Sequence, residues 1–184
     1  MTVSVRQACW LLRCCGFSAC SEQVQSVRRR GYEECLNQWL SEESPAGKLP
    51  WTTRVPAGIT GTVFQVGSMV HWWLGRMQAN RGFLREKMTL FWHGYFTTSV
   101  DPVFFAGLLL CQNQLLREHA LGRFEDLLQQ ISRDPAMLLY LDGFRNKPEH
   151  PNENFAREVM ELFTTGPGHY SEEDLRQAAL AFTG

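Results

Sequence analysis

Apolar residues recur at three- and four-residue steps through most of this chain. The clearest example is the run formed by Val63, Val66, Val70, Trp73 and Met77. Such spacing places these side chains on one face of a helix. Alternation of apolar and polar residues over a useful length does not occur, so no sheet is expected. The pattern predicts an all-α protein, an irregular bundle of about eight to nine helices.

Helix starts are predicted where a capping side chain precedes an apolar stripe. These positions are Ser21, Asp101, Asp134, Asn152 and Ser171. Asp101 and Asp134 are each followed by Pro, which suits the first turn of a helix. We expect the helix that begins at Asp101 to be continuous to about residue 120.

The same pattern predicts three segments. Residues 1–43 form an N-terminal helical segment, residues 44–61 form a linker loop rich in Pro and Gly, and residues 62–184 form the main helical body. The last predicted helix, residues 171–183, has an apolar face, and the chain stops at Gly184. We therefore expect the main body to be truncated at its C-terminal end.

Charge and composition exclude several classes of function. The net charge of -1 gives no field that would attract nucleic acid. No run of about 18 apolar residues exists, so no membrane span is expected. Arg13 interrupts the only apolar stretch near the start, which leaves no signal peptide. As given, the chain is expected in the cytoplasm, with export only if an upstream extension was lost.

The cysteines indicate reduced thiols. Five of the six occur before residue 36, in the order C-x4-C-C-x4-C followed by Cys35. This order lacks the paired C-x2-C spacing of structural zinc sites.

Several long stretches resemble the bacterial family called domain of unknown function 1800. They read HWWLGRM with REKMTLFWHGYFTTS, QNQLLREHALGRFEDLLQQISRDPAMLLYLD, and NKPEHPNENFAREVMELFTTGPGHYSEEDLRQAALAFTG. The start, LLRCCGFSA, is similar to the opening helix and turn of that family. The resemblance implies an N-terminal portion of a larger protein, because most members continue past the point where this chain ends. It implies no activity.

Three residues depart from the family pattern. Tyr95 stands where members tend to have His, Cys14 stands where Arg is frequent, and Leu180 stands where Arg is usual. If those positions belong to a site, the resemblance implies that this chain is impaired.

The candidate catalytic residues are His93, His119 and Glu158, with Glu86 or Glu118 as further carboxylates. Imidazole and carboxylate groups on facing helices are how helical bundles build metal sites. However, the Glu-x-x-His pair of such sites is missing, and the adjacent Glu118 and His119 point about 100° apart on a helix. Whether a metal or another cofactor binds is left open. The alternative is a structural network of buried His and Glu side chains.

A polar stripe on the next-to-last predicted helix supplies candidate ligand-binding residues, Asn154, Arg157 and Glu161. Asn154 is a poor helix former, which suggests that its side chain holds a loop or a ligand. The alternative for the rest is a solvated ladder of Glu153, Arg157 and Glu161 at i,i+4 spacing.

Trp92 is the last candidate binding residue. With Trp72, Trp73 and Tyr95 it could form an aromatic platform for a sugar ring or a partner, or it could be core.

The leading hypothesis is an uncharacterised helical protein, a fragment whose polar core is structural and whose partner is its own missing C-terminal region. The alternatives are a hydrolase or other enzyme with a His/Glu site completed by missing residues, and carbohydrate or partner binding through the Trp-rich face. The substrate is unknown.

Overall fold

The computed structural model describes residues 3–43, 58–79 and 81–183, with the backbone alone for 58–62. In this part of the chain there is no strand, and the one isolated bridge joins Lys147 and His150. The prediction of an all-α fold is confirmed. The eleven α-helices found among the described residues slightly exceed the eight to nine expected. Part of this excess arises because one predicted helix is broken in two.

The helices are α1 (Val5–Cys15), α2 (Ser21–Arg30), α3 (Tyr32–Ser41), α4 (Gly58–Gln78), α5 (Phe83–Tyr95), α6 (Val100–Val103), α7 (Ala106–Glu118), α8 (Phe124–Ile131), α9 (Pro135–Tyr140), α10 (Glu153–Glu158) and α11 (Glu172–Ala181). A short 3-10 turn, Gly143–Arg145, follows α9. A π-helical segment, Val159–Phe163, continues α10. Of the predicted linker 44–61, residues 44–57 lie outside the described residues, and α4 begins within the remainder.

Most predicted helix starts are confirmed. Asp134 caps α9, Asn152 caps α10, and Ser171 caps α11 with Asp174 completing a capping box. These side chains satisfy backbone N–H groups that have no partner inside the helix. The prediction at Ser21 is wrong by one residue, because the N-cap of α2 is Cys20.

The predicted continuous helix from Asp101 is wrong. Ser99 caps α6 by accepting from the Asp101 N–H group, and the helix ends at Val103, before Phe104, whose φ is 53°. A left-handed residue cannot continue a right-handed helix, so α7 has to begin anew at Ala106. His119, which the predicted helix would have included, lies beyond the last residue of α7.

The chain divides into two compact units. Unit 1 comprises residues 1–92 and 116–122, and unit 2 comprises residues 93–115 and 123–184. The core of unit 1 joins α1, α2, α3 and the start of α5 through Leu12, Val27, Trp39 and Phe83. Its packing is close: a Cβ on Gly16 would lie 2.8 Å from the Phe83 ring.

The interior of unit 2 contains an aromatic cluster and a small aliphatic one. The ring of Phe96, which is fully buried, contacts those of Tyr95, Phe124 and Phe163. Elsewhere in unit 2, Ala156 of α10 packs against Leu175 and Ala179 of α11.

Candidate functional site

Glu86 is a charged residue of unit 1 whose side chain is fully buried. Its Oε1 atom accepts from the Nε atoms of Arg76 at 2.9 Å and Arg117 at 2.7 Å. Its Oε2 atom accepts from Nη2 of Arg117 and Nε1 of Trp73, both at 3.0 Å. One carboxylate in the first turn of α5 therefore joins the C-terminal parts of α4 and α7.

The ion pairs and hydrogen bonds of Glu86 offset the free-energy cost of removing these charges from water. A buried carboxylate is strongly destabilising unless it is paired and fully hydrogen-bonded. Arg117 supplies a bidentate contact, the strongest arrangement for a guanidinium and a carboxylate. The Arg76 and Arg117 side chains are themselves only 10% and 9% exposed. We call the side chains of Trp73, Arg76, Glu86 and Arg117 the Glu86 cluster.

Two further side chains border this cluster. The guanidinium carbons of Arg76 and Arg117 lie 5.0 and 5.1 Å from the ring centroid of Trp72, within the range of cation–π attraction. Nη1 of Arg85 donates to the backbone carbonyl of Arg117 at 3.3 Å. That carbonyl belongs to the last turn of α7, where the helix dipole favours a cation.

Sequence reasoning identified Glu86 only as a possible further carboxylate of the candidate catalytic site and missed Arg76 and Arg117. The sequence did contain one indication of burial. Glu86 follows Phe83 by three residues, so this charged residue lies on the same helix face as a large apolar one, and α5 buries that face. Its partner Arg117 is 31 residues away in sequence. Spacing within one helix carries no information about such a pair.

The predicted catalytic residues are divided between the units. His93, in the last turn of α5, and Glu158, the last residue of α10, are half-buried in unit 2, whereas His119 belongs to unit 1. The three therefore form no cluster within either unit. Burial lowers the pKa of His93 below its ordinary value of 6.5, which favours a neutral imidazole. No group of three or more His, Cys, Asp or Glu side chains in the described ranges could hold a metal ion.

Asn154 of the predicted ligand-binding set holds a loop. Its Nδ2 atom donates to the carbonyl of Leu141 at 3.1 Å. The neighbouring Asn152 donates from Nδ2 to the carbonyl of Asp142 at 3.0 Å. Together the two amides attach the start of α10 to the segment that follows α9.

The predicted ladder on α10 is wrong in its second half. Arg157 pairs with Glu153 at 3.5 Å and with Glu172 of α11 at 3.4 Å. Glu161 instead accepts from the phenol of Tyr170 at 3.1 Å. Glu161 lies in the π-helical segment, where turns contain more residues, so it is not aligned with the residue four positions before it.

Trp92 lies in unit 1, where it is half-buried. Its Nε1 atom donates to the carbonyl of Ala120 at 3.1 Å, and its ring contacts that of Phe91. Like Trp73, this tryptophan uses its indole N–H group for a contact within unit 1.

The residues that depart from the family pattern have different surroundings. The hydroxyl of Tyr95 donates to the carbonyl of Phe163 at 3.0 Å, at the end of the π-helical segment. Cys14 is exposed on α1, and Leu180 is half-buried on α11. Tyr95 therefore has a structural contact of its own.

A second buried polar network lies in unit 2. Thr98 Oγ1 donates to Gln112 Oε1 at 2.6 Å, and Gln112 Nε2 donates to Asp134 Oδ2 at 2.7 Å. The same Asp134 oxygen accepts from the Met137 N–H group at 2.9 Å. Burial raises the pKa of Asp134 above its ordinary value of 3.8, and these hydrogen bonds oppose the rise.

These features define an all-helical protein with a buried arginine–glutamate cluster in one of its units. None of the described helices is long and apolar enough to cross a membrane. The model of the family described as Protein of unknown function (DUF1800) matches residues 10–184. The chain belongs to that family, as the sequence motifs predicted. No curated protein and no solved structure matches it.

Proposed function

We propose that this chain is a structural helical module of a larger protein, and that the Glu86 cluster holds its helices together. The proposal rests on one observation, that hydrogen bonds occupy the acceptor positions of the Glu86 carboxylate. Its two oxygens accept the four hydrogen bonds described above, all from protein donors. An ionised carboxylate offers about four acceptor positions. Glu86 therefore has no capacity left for a substrate proton or a metal.

A structural role also agrees with the positions of the partners. Arg76 lies near the end of α4, Glu86 in the first turn of α5, and Arg117 in the last turn of α7. A cation in the last turn of a helix and an anion in the first turn both complement the helix dipole. The charges of the cluster thus stabilise three helix ends and also stabilise one another.

Replacement of Glu86 by Gln tests this role. The variant keeps the shape but leaves two buried guanidiniums without their counter-charge. Breaking a buried ion pair costs about 3–5 kcal/mol. We expect the free energy of unfolding, from urea titration monitored by circular dichroism, to fall by about that amount. Glu118→Gln, at an exposed position of α7, is the matched control. Equal unfolding midpoints for both variants would refute the structural role.

A second candidate function is an enzyme with an acid–base site in unit 2. His93 favours this candidate, because its half-buried imidazole has a lowered pKa and is neutral at physiological pH. A neutral imidazole is the form that accepts a proton as a general base. Glu158, also half-buried in unit 2, would be the accompanying carboxylate.

This candidate is tested with a panel of ester, amide and glycoside substrates. The unaltered chain and two variants are assayed at the same protein concentration. Loss of a measured activity in His93→Asn, but not in His150→Asn on the exposed loop, would support an enzyme. The metal content of the two purified variants distinguishes a metal-dependent version. Any activity that survives both substitutions unchanged would count against His93.

A further inference from the structure

The outward face of α1 has a tryptophan at its centre. Ala8, Leu11 and Leu12 are buried in the core of unit 1, which decides the side of α1 that faces outwards. Trp10 lies on that outward side and is 65% exposed. Tryptophan is highly buried on average in folded proteins, so most of a large aromatic ring is presented to solvent here.

Two arginines lie on the same face as this tryptophan. Arg6 is four residues before Trp10 and Arg13 is three residues after it, and such positions are neighbours on a helix surface. Both arginines are exposed, and no ion pair in the described part of the chain includes either. The residues outside the described ranges include no Asp or Glu. We call Arg6, Trp10 and Arg13 the Trp10 face.

Positive charge continues past both ends of α1. Nε of Arg28 donates to the carbonyl of Val3, two residues before the helix, at 3.3 Å. Nζ of Lys87 lies 5.2 Å from the ring centroid of Phe17, two residues after the helix. No Asp or Glu precedes residue 22 in the sequence. This end of unit 1 is therefore cationic although the net charge of the chain is -1.

The carboxylates of α3 lie to one side of the Trp10 face. Glu33 and Glu34 line a pocket together with Gln7, whose direction on α1 differs from that of Trp10 by about 60°. Arg30 pairs with Glu34 at 2.7 Å and balances its charge. Even with Glu33 counted in full, the cations around α1 remain in excess.

The size and shape of the Trp10 face favour a lipid surface as its partner. The 11 residues of α1 make a face about 16 Å long and about 10 Å wide, on the order of 160 Å². A specific protein interface needs about 800 Å² on each partner. Single-stranded nucleic acid is bound in grooves with several stacking aromatics, whereas this helix face is convex and has one. A membrane surface requires neither a large complementary area nor a groove.

We propose that the Trp10 face contacts an anionic phospholipid surface. Tryptophan is enriched where membrane meets water, because its ring is apolar and its N–H group is polar. With α1 parallel to the surface, the Trp10 ring lies among the headgroups, and the guanidiniums of Arg6 and Arg13 pair with phosphate oxygens. One aromatic side chain and a few cations give reversible binding without insertion. This proposal goes beyond the structural role of Glu86 and does not depend on it.

The test measures cosedimentation of the full chain with lipid vesicles. One set contains phosphatidylcholine alone, and the other contains equal parts of phosphatidylcholine and phosphatidylglycerol. We expect binding to the anionic vesicles that weakens as salt is added, and little binding to the neutral ones. Failure to bind the anionic vesicles, or equal binding to both sets, would overturn the proposal.

Paired variants of equal net charge locate the contact. Arg6→Gln with Arg13→Gln removes the cations of the Trp10 face, and Arg133→Gln with Arg176→Gln removes two exposed cations of unit 2 as the matched control. We expect the first pair to bind anionic vesicles about thirtyfold more weakly, since each surface cation contributes about fivefold. Equal weakening by both pairs would overturn the proposal, because net charge alone would then explain the binding.

The aromatic part of the contact has its own control. Trp10→Ala should weaken binding to anionic vesicles, whereas Phe144→Ala, at another exposed ring, should leave it unchanged. Circular dichroism verifies that all variants are folded. Equal binding by the two variants would contradict a role for Trp10.

The other possible occupants are tested with the same variants. Fluorescence anisotropy measures binding of a labelled polyglutamate peptide and of a labelled single-stranded oligonucleotide. Binding of either that depends on Trp10 and is tighter than vesicle binding would overturn the proposal of a lipid surface. Because Glu86 is intact in every variant, none of these results bears on the structural role of its cluster.

Discussion

Arginine–glutamate pairs occur in two very different settings in this protein. In unit 1, Glu86 is fully buried and meets Arg76 and Arg117 at 2.9 and 2.7 Å. In unit 2, Arg157 is 39% exposed and meets Glu153 and Glu172 at 3.5 and 3.4 Å. Water screens the second set and competes for its hydrogen bonds, whereas burial largely shields the first set from water. The same residue types are therefore a structural requirement in one unit and a surface feature in the other.

The largest effect is expected from removing one partner of the buried set. Arg117→Leu takes away the bidentate contact and leaves Glu86 buried with a single guanidinium. We expect the free energy of unfolding to fall by about 3–5 kcal/mol, measured by urea titration. A triple replacement of Arg76, Glu86 and Arg117 by Leu should recover part of that loss, because no unpaired charge then remains buried. A triple variant less stable than Arg117→Leu would contradict this explanation.

An intermediate effect is expected from Asp134, a buried carboxylate whose partners are neutral. Its pKa is raised in the folded protein, so the folded chain holds the proton more tightly than the unfolded chain, whose value is 3.8. The free energy of unfolding should therefore decrease as the pH rises from 3.8 through the raised pKa. Asp134→Asn retains an acceptor for Met137 and Gln112 and should lose this decrease.

The measurement for Asp134 is a series of urea titrations over that pH range. Asp126→Asn, at an exposed position of α8, is the control and should keep the slope of the unaltered chain. A slope that persists in Asp134→Asn would assign the titration to another group.

The smallest effect is expected at the exposed pairs of unit 2. Arg157→Ala should leave the urea midpoint of unfolding unchanged within error, at low salt and at high salt, because exposed pairs of this kind contribute little. A loss comparable to that of Arg117→Leu would mean that burial does not decide the contribution of these pairs.

The sequence predicted what depends on neighbouring residues. A capping side chain acts within one turn, which is why Asp134, Asn152 and Ser171 mark helix starts correctly. The break between α6 and α7 was missed because the two residues that form it, Phe104 and Phe105, are neither Gly nor Pro. The left-handed residue is Phe104, a type that rarely adopts that conformation.

The candidate site was less predictable than the fold. The sequence offered His93, His119 and Glu158 as polar residues on helices, but nothing in their spacing decides which unit each one joins. The cluster around Glu86 depends on contacts between helices that are distant in sequence. Its local sign was a carboxylate among the residues that α5 buries, and one sequence cannot show which cation will pair with it.

The π-helical segment that continues α10 changes which residues of this region share a helix face. Helical-wheel projections assume a constant rotation per residue, and that assumption fails between Glu158 and Thr164. Which residues share a helix face must therefore be worked out separately before and after the segment. An engineered pair at i,i+4 spacing will meet if both members lie in Glu153–Glu158, and will miss if one of them lies in Val159–Phe163.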